Sequence, residues 1–268
     1  MSPPAAPETA RPGPYRPHPQ NRSTRMSSSK TKAGTSSAKP LLISAGVALA
    51  AVTLGLVSWQ ATAPADKAPT GPAPAAAPRS DTSAALKALA RREPGDKLAV
   101  GRPDAPVVLI EYSDFKCGYC GKFARDTEPE LVKKYVDDGT LRIEWRNFPI
   151  FGAESEAAAR AAWAAGRQDR FAAFHAAAYA DGSKEKGFAE PRLLELAREA
   201  GVPDIDRFKA DMAGEEAAAA LKKDQEEGYR IGVTSTPSFL VNGRPIAGAQ
   251  PLGAFTAAIE QAGAAAKQ

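Results

Sequence analysis

The run VVLIEY, from Val107 to Tyr112, consists of β-branched, aliphatic and aromatic side chains around a single acid, Glu111. Such a run is typical of a strand buried on both faces, because only a strand covered on each side removes consecutive apolar side chains from water. After Tyr112 the apolar residues recur at helical spacing, which predicts a helix from the cysteines to about Asp137. Pro129 should kink that helix or divide it in two.

A second strand is predicted in the segment LRIEWRNFPI, which begins at Leu141 and which Pro149 ends. Its apolar side chains alternate with Arg142, Glu144 and Arg146, so we expect one buried face and one solvated face. A strand, a helix and a strand in this order form a βαβ unit.

The segment TPSFLVNGRPIAG predicts a late β-hairpin, since Asn242-Gly243 suits a type I′ turn and Pro245 favours an edge strand. The remaining predicted elements are a helix at 81–92, an edge strand at 98–100, alanine-rich helices over about 152–230, hairpin strands at 238–241 and 244–247, and a last helix at 252–262. The natural packing of this order is an α/β fold, a mixed sheet with helices on its faces.

Cys117 and Cys120 are the only cysteines, and Gly118 and Tyr119 separate them. This spacing suits half of a zinc site, a short structural disulfide or a redox pair. Zinc needs two more Cys or His ligands, whereas the chain has only two histidines, one of them in the N-terminal tail. A permanent disulfide would close too short a loop to constrain the unfolded chain much.

A redox pair is therefore the favoured interpretation. A thiol at a helix N-terminus has a lowered pKa, and Lys116 places a positive charge nearby, so Cys117 should be the attacking thiolate and Cys120 the resolving thiol.

The first eighty residues differ in composition from the rest of the chain. Residues 1–40 are rich in Pro, Ser, Thr and basic side chains, which predicts a disordered basic tail. Residues 41–59 contain no charged side chain and are close to the length of a transmembrane helix. Residues 60–80 alternate Ala and Pro, which predicts an extended linker. The folded domain should then occupy residues 81–268.

Charge sets the expected orientation of the apolar segment. Residues 1–40 carry seven basic side chains and one acid, so the positive-inside rule places the tail in the cytoplasm and the folded domain outside it. A cleaved signal peptide, which would make the protein secreted, is disfavoured because its apolar region is usually about 7–15 residues and Pro64 follows the small residues 61–63. The other 228 residues carry 28 basic and 30 acidic side chains, and nothing suggests nucleic-acid binding.

A CxxC motif that follows a buried strand and starts a helix, with Thr236-Pro237 just before a late hairpin, resembles the thioredoxin fold. Pro237 follows Cys117 by 120 positions, which leaves room for inserted helices and is similar to the DsbA branch of exported thiol:disulfide oxidoreductases. The lead-in PGDKLAVGRPDAPVVLIEYSDFKCGYC particularly resembles membrane-anchored and secreted DsbA-like proteins of Gram-positive bacteria. The implied fold is a thioredoxin fold with a helical subdomain inserted at about 152–230.

The resemblance implies thiol:disulfide exchange with cysteines of exported proteins, most directly as an oxidase. The alternatives are a reductase or isomerase of the same fold and, in another class, a membrane-tethered binding or chaperone module. The resemblance also implies that a membrane quinone reductase of the DsbB or VKOR (vitamin-K-epoxide-reductase) type reoxidises the cysteine pair. No metal or other cofactor is expected.

Substrate-binding residues are also implied by the resemblance. They are Thr236 and Pro237, with a cis peptide between them and a Thr236 backbone free to pair with an extended substrate, and the intervening Gly118 and Tyr119. The family's strong oxidants carry Pro-His at the latter two positions, so the dipeptide leaves the redox potential open.

Two titratable residues and one charge run complete the set of candidates. Thioredoxin-fold proteins often place an acid where Glu111 lies, and a buried carboxyl there could exchange a proton with Cys120. The alternative is that Glu111 faces water at the strand end. His175 lies among aromatic residues of a helix and is interpreted as structural. The run Glu226-Glu227-Gly228 is interpreted as a solvated helix end.

Overall fold

The computed structural model describes residues 80–267. The predicted tail (1–40), the predicted transmembrane segment (41–59) and the predicted linker up to residue 79 lie outside the described residues. Within the part described, no helix is long and apolar enough to cross a membrane.

The helices and strands, in chain order, are α1 (Ser80–Lys87), β1 (Ala99–Val100), β2 (Val107–Ser113), α2 (Gly118–Asp126), α3 (Glu128–Leu131), β3 (Leu141–Asn147), α4 (Ala153–Gly166), α5 (Phe171–Ala178), α6 (Glu190–Glu199), α7 (Ile205–Ala213), α8 (Glu215–Arg230), β4 (Ser238–Val241), β5 (Arg244–Ala247) and α9 (Leu252–Ala265). A π-helical turn, Val132–Val136, continues α3, and a 3₁₀ turn, Lys184–Lys186, precedes α6.

The strands form one five-stranded sheet in the order β1-β3-β2-β4-β5. Strand β2 pairs in parallel with β3 and antiparallel with β4, so it lies at the centre of the sheet. All of its residues are buried, which confirms the prediction of a strand covered on both faces. The hairpin of β4 and β5 is also confirmed, with β5 at the edge, where Pro245 costs no ladder hydrogen bond.

Each face of the sheet carries an apolar cluster. The larger cluster joins side chains of the sheet such as Leu109 and Phe239 to α2, to α9 and to the helices inserted between β3 and β4. The smaller one, on the other face, contains Val108, Ile110 and Tyr112. The predicted α/β fold class, a mixed sheet with helices on its faces and a block of helices inserted between β3 and β4, is therefore confirmed for the described residues.

Strand β3 differs from its prediction. Its charged face is not solvated, because Arg142, Glu144 and Arg146 are 3%, 0% and 0% exposed. The Glu144 carboxylate accepts from Arg142 Nε and Arg146 Nη2, both at 2.9 Å, and the Glu227 carboxylate also pairs with Arg146, so two carboxylates face the two guanidinium groups. The alternation of apolar and charged residues is real, but ion pairing takes the place of water on the charged side.

The segment after α1 explains part of that burial. The backbone N–H groups of Arg91 and Arg92 donate to the Glu144 carboxylate at 3.0 and 2.8 Å. These bonds hold the chain in a non-helical course, so the helix predicted to run to residue 92 ends at Lys87. Pro129, by contrast, divides the CxxC helix as predicted, since it lies in the first turn of α3.

The interpretation of Glu226-Glu227-Gly228 as a solvated helix end holds for Glu226 and is wrong for the other two. The Glu227 carboxylate accepts from Tyr112 Oη and from Arg146 Nε, both at 2.9 Å. Gly228 packs so closely that an added Cβ would lie 2.6 Å from a ring carbon of Phe148. This end of α8 therefore covers the sheet.

Candidate active site

The cysteine pair lies at the start of α2, after the short loop that follows β2. Cys117 is the N-cap residue of α2, and the Cys120 backbone N–H donates to its Sγ at 3.4 Å. Both cysteines are free thiols, and both are buried. The loop before β4 closes over them, with the Thr236 carbonyl oxygen 3.2 Å from Cys117 Sγ. The predicted cis peptide between Thr236 and Pro237 is confirmed.

The two thiols have opposite electrostatic environments. A hydrogen bond from the Cys120 thiol, together with backbone N–H groups at the start of α2, outweighs burial and lowers the pKa of Cys117 to about 6. Burial raises the pKa of Cys120 well above its ordinary value, and the neighbouring Cys117 adds to that effect. The arrangement therefore favours a thiolate on Cys117 and a thiol on Cys120.

Lys116 does not act as the sequence suggested. Its ammonium pairs with the Glu154 carboxylate at 2.5 Å, so its charge is already balanced by the first turn of α4. The stabilisation of the Cys117 thiolate comes from the helix start and from Cys120.

Alkylation of the reduced protein should show this asymmetry. We expect the iodoacetamide reaction rate of Cys117 to rise with pH to a plateau with a midpoint near pH 6, the value set by its pKa of about 6. Cys120 should stay unmodified, because it is fully buried and its pKa is raised. Mass spectrometry of peptides from timed reactions measures both. A midpoint near about 8.5, the ordinary thiol value, would contradict the assigned stabilisation.

Glu111 faces the interior, so the alternative of a solvated strand end is wrong. Its side chain is 0% exposed and lies opposite Trp145 of β3. Burial raises its pKa to about 8 and outweighs the lowering effect of the Ser113 and Trp145 side chains, while the charge of Cys117 adds to the rise. Glu111 in turn contributes to the raised pKa of Cys120. At neutral pH Glu111 is therefore a protonated acid in electrostatic contact with both cysteines.

Tyr119 and Gly118 form the outer surface of the CxxC turn. The Tyr119 side chain is 69% exposed, so its aromatic ring projects into solvent beside the thiols. Cys117 and Gly118 border a groove that is also lined by the end of α5 and the turn after it, from Ala178 to Gly182. This groove and the loop at Thr236 flank Cys117 on two sides.

Sequence reasoning missed one polar group behind the cysteines, Glu128, and gave the other, His175, only a structural role. Glu128, in the first turn of α3, is buried, and His175 lies 3.9 Å from it, measured from Nδ1 to Glu128 Oε2. The position of Glu128 beside Pro129 is that of an ordinary helix-start acid, so no local signal marked it. Burial lowers the pKa of His175 to about 3, so the ring is neutral. In residues 80–267 no cluster of three or more His, Cys, Asp or Glu could hold a metal ion.

A CxxC pair that starts a helix and faces a cis-proline loop, on a sheet of this topology, defines a thiol:disulfide oxidoreductase of the thioredoxin fold. Residues 93–261 match the family model described as Thioredoxin, and the chain belongs to that family.

Individual relatives agree with this class. The chain is 32% identical over 151 residues to the probable disulfide bond formation protein D of Bacillus anthracis. The aligned residues cover 54% of this chain and 69% of the relative. A thioredoxin-like oxidoreductase structure from Silicibacter pomeroyi is 29% identical, with a TM-score of 0.57, over 69% of this chain and 98% of that one. The fold also matches oxidised BdbD from Bacillus subtilis, at a TM-score of 0.59 and 24% identity, over 63% of this chain and 94% of BdbD. The protein is thus a DsbA-like thiol:disulfide oxidoreductase.

Proposed function

We propose that the protein works as an oxidase, forming disulfides in exported cysteine-containing proteins. The observation that carries this proposal is the stabilised thiolate of Cys117, whose pKa is lowered to about 6. Stabilising the reduced form makes the Cys117–Cys120 disulfide a stronger oxidant, because more free energy is released when it is reduced. The name of the Bacillus anthracis relative, a disulfide bond formation protein, supports the same direction.

The exchange then proceeds in two displacements. A substrate thiolate attacks Cys117 Sγ, the Cys117–Cys120 bond breaks, and Cys120 departs as a thiolate. Glu111 gives its proton to Cys120, whose thiolate is otherwise buried without a counter-charge. A second substrate thiolate attacks the substrate sulfur of the mixed disulfide and expels Cys117 as the thiolate. Two electrons pass from the substrate to the cysteine pair, and the substrate keeps the disulfide.

The residues of this chain that would bind the substrate have roles separate from the exchange steps. The Thr236 backbone next to Cys117 Sγ would pair with an extended substrate segment, and Pro237 would hold that loop against the thiols. Gly118 leaves one side of the CxxC turn open, since nothing lies within 4 Å of an added Cβ, and the exposed Tyr119 ring would contact the incoming chain.

We also propose where the protein is located and what reoxidises its cysteine pair. The uncharged segment 41–59 after a basic stretch supports a single-pass anchor with a cytoplasmic N-terminus and the catalytic domain outside the cytoplasm. The dithiol left after each turnover needs a two-electron acceptor, and a membrane quinone reductase of the DsbB or VKOR type would supply it beside the anchor.

The redox potential tests the direction. Equilibrated with glutathione buffers, the full-length protein should show a potential above about −270 mV, that of a thioredoxin reductant, and shifted toward about −120 mV, that of a strong oxidase. Each pKa unit by which the Cys117 thiolate is stabilised should raise the potential by about 30 mV. Alkylation with a mass tag separates the dithiol from the disulfide. A potential near the lower value would assign the protein to reduction instead.

A further inference from the structure

The side chain of Asp114, in the loop between β2 and α2, is buried, and the exchange steps above do not use it. Its Oδ1 accepts from the Lys116 backbone N–H at 2.8 Å. Its Oδ2 accepts from the backbone N–H groups of Ile150 and Phe151, at 2.7 and 3.2 Å. One buried carboxyl group therefore binds two loops, and Ile150 lies 36 positions away in the chain.

Both loops begin where a pair of strands ends. Ser113 and Asn147 are opposite each other in the last register position of β2 and β3, and the Phe148 N–H donates to the Ser113 carbonyl oxygen at 2.8 Å. The Asp114 side chain continues this connection beyond the ladder. It joins the loop that leads to the cysteines to the loop that leads to α4.

The backbone of Asp114 holds Cys117 directly. Its carbonyl oxygen accepts from the Cys117 N–H at 3.0 Å, which closes a four-residue turn. The side-chain bond to the Lys116 N–H lies inside the same turn. Cys117 is the N-cap residue of α2, and its carbonyl oxygen accepts from the Gly121 N–H at 3.1 Å. Asp114 therefore fixes the point at which the helix begins.

The bonding pattern of Asp114 requires two acceptor oxygens, which a carboxylate supplies. Burying a charged group is costly unless hydrogen bonds compensate, and here three N–H donors do so. Lys116, the nearest lysine along the chain, pairs with Glu154 instead. Asparagine has the same shape but only one acceptor oxygen. It would leave either the Lys116 N–H or the two donors of the other loop unpaired.

The position of Cys117 decides how well its sulfur meets the start of α2. The Cys120 N–H donates to Cys117 Sγ at 3.4 Å, and the Thr236 carbonyl oxygen lies 3.2 Å from the same sulfur. Hydrogen bonds weaken steeply when donor and acceptor are misaligned. A small displacement of the turn before Cys117 would therefore reduce the stabilisation of its thiolate.

We propose that Asp114 is the positioning residue of Cys117, whose sulfur it keeps at the start of α2 by binding the turn before the CxxC motif to the loop at Ile150 and Phe151. Asp114 acts through Cys117 and takes no part in the bond changes. The proposal applies to oxidation and reduction alike, because Cys117 forms the mixed disulfide in both directions. A redox potential that contradicted the oxidase function would leave this proposal intact.

The charge and the geometry of Asp114 act in opposite directions on Cys117, so one substitution distinguishes them. Removing a nearby negative charge favours a thiolate and would lower the pKa of Cys117. Loosening the turn would weaken the hydrogen bonds to the sulfur and raise that pKa. The main influences on the pKa of Cys117 are Cys120, burial, Thr236 and the backbone at the start of α2. We therefore expect the geometric effect to be the larger.

The test is the pH dependence of the iodoacetamide reaction of Cys117 in the reduced full-length protein. Asp114→Asn should raise the midpoint by about one pH unit, because a hydrogen bond to an ionised group accounts for at least about that much. Each rate is divided by the plateau rate of the same variant at high pH. The normalised rate of Asp114→Asn at about pH 6 should then be about fivefold below that of wild type.

Matched controls separate positioning from a general loss of stability. Asp126→Asn removes an exposed acid of α2, paired with Lys122, and should leave the midpoint unchanged. Glu144→Gln breaks a buried ion pair, so it should destabilise the fold without moving the midpoint. An Asp114→Asn midpoint equal to that of wild type or below it would overturn the proposal, even if the variant were less stable.

A measurement on wild type covers the case in which Asp114→Asn does not fold. The backbone N–H groups of Lys116 and Ile150 lie in loops and donate to the Asp114 carboxylate. In hydrogen–deuterium exchange of the full-length protein, both should exchange at least about tenfold more slowly than in an unfolded chain. Less protection than this at either position would overturn the proposal.

Discussion

Replacing Cys117 by alanine is expected to reduce disulfide exchange to background, a loss on the order of 10³-fold or more, because the residue is the nucleophile and electrophile of every step. No other sulfur can take its place, since the chain contains only one further cysteine and Cys120 is fully buried. The measurement is oxidation of a reduced, unfolded model protein with two cysteines, followed by recovery of its native activity.

The matched control is Cys120→Ala, whose defect in disulfide exchange should differ from that of Cys117→Ala. It keeps a reactive Cys117 but has no resolving thiol, so it should accumulate mixed disulfides with oxidised substrate proteins, visible on non-reducing gels. The same gels with Cys117→Ala should show none. A Cys117→Ala protein with full biological activity would instead support the binding or chaperone module that keeps the fold without redox turnover.

Features set by short stretches of chain could be predicted from the sequence. The apolar run of β2, the Asn242-Gly243 turn and the division of a helix at Pro129 each depend on a few neighbouring residues, and each is present in the structure. The cysteines belong to this group, because a CxxC at a helix start has its environment set by the helix itself.

Features that depend on which elements meet could not be predicted in the same way. The alternation in β3 indicated a solvated charged face, but groups far away in sequence cover it: the Arg91 backbone N–H donates to Glu144, and the Glu227 carboxylate pairs with Arg146. The burial of Glu128 and its approach to His175 require α3 and α5 to pack together, which no local pattern specifies. For Glu111 the strand was evident and its facing was not, because a strand buried on both faces has no polar side to fix the register.

The buried ion pairs on β3 give the second large expected effect. Burial disfavours the Glu144 carboxylate, but the hydrogen bonds and charges of Arg142 and Arg146 outweigh it and lower the pKa of Glu144 to about 2. Relative to an ordinary pKa of 4.5, the ionised group stabilises the fold by about 3 kcal/mol. Glu144→Gln should therefore lower the free energy of unfolding by about 3 kcal/mol at neutral pH, as expected when a buried pair loses one charge.

The pH dependence distinguishes this electrostatic loss from a packing defect. Because the folded pKa is depressed, the Glu144 contribution is complete above pH 4.5 and disappears as the pH falls through about 2. Wild type and Glu144→Gln, compared by urea unfolding, should thus differ most at neutral pH and converge in acid, whereas a packing defect would separate them equally at every pH. Asp104→Asn, which breaks an exposed pair with Arg102, should leave the unfolding midpoint unchanged. Convergence in the Glu144→Gln comparison alone would show that charge, and not shape, holds this covered face of β3 to the segment after α1.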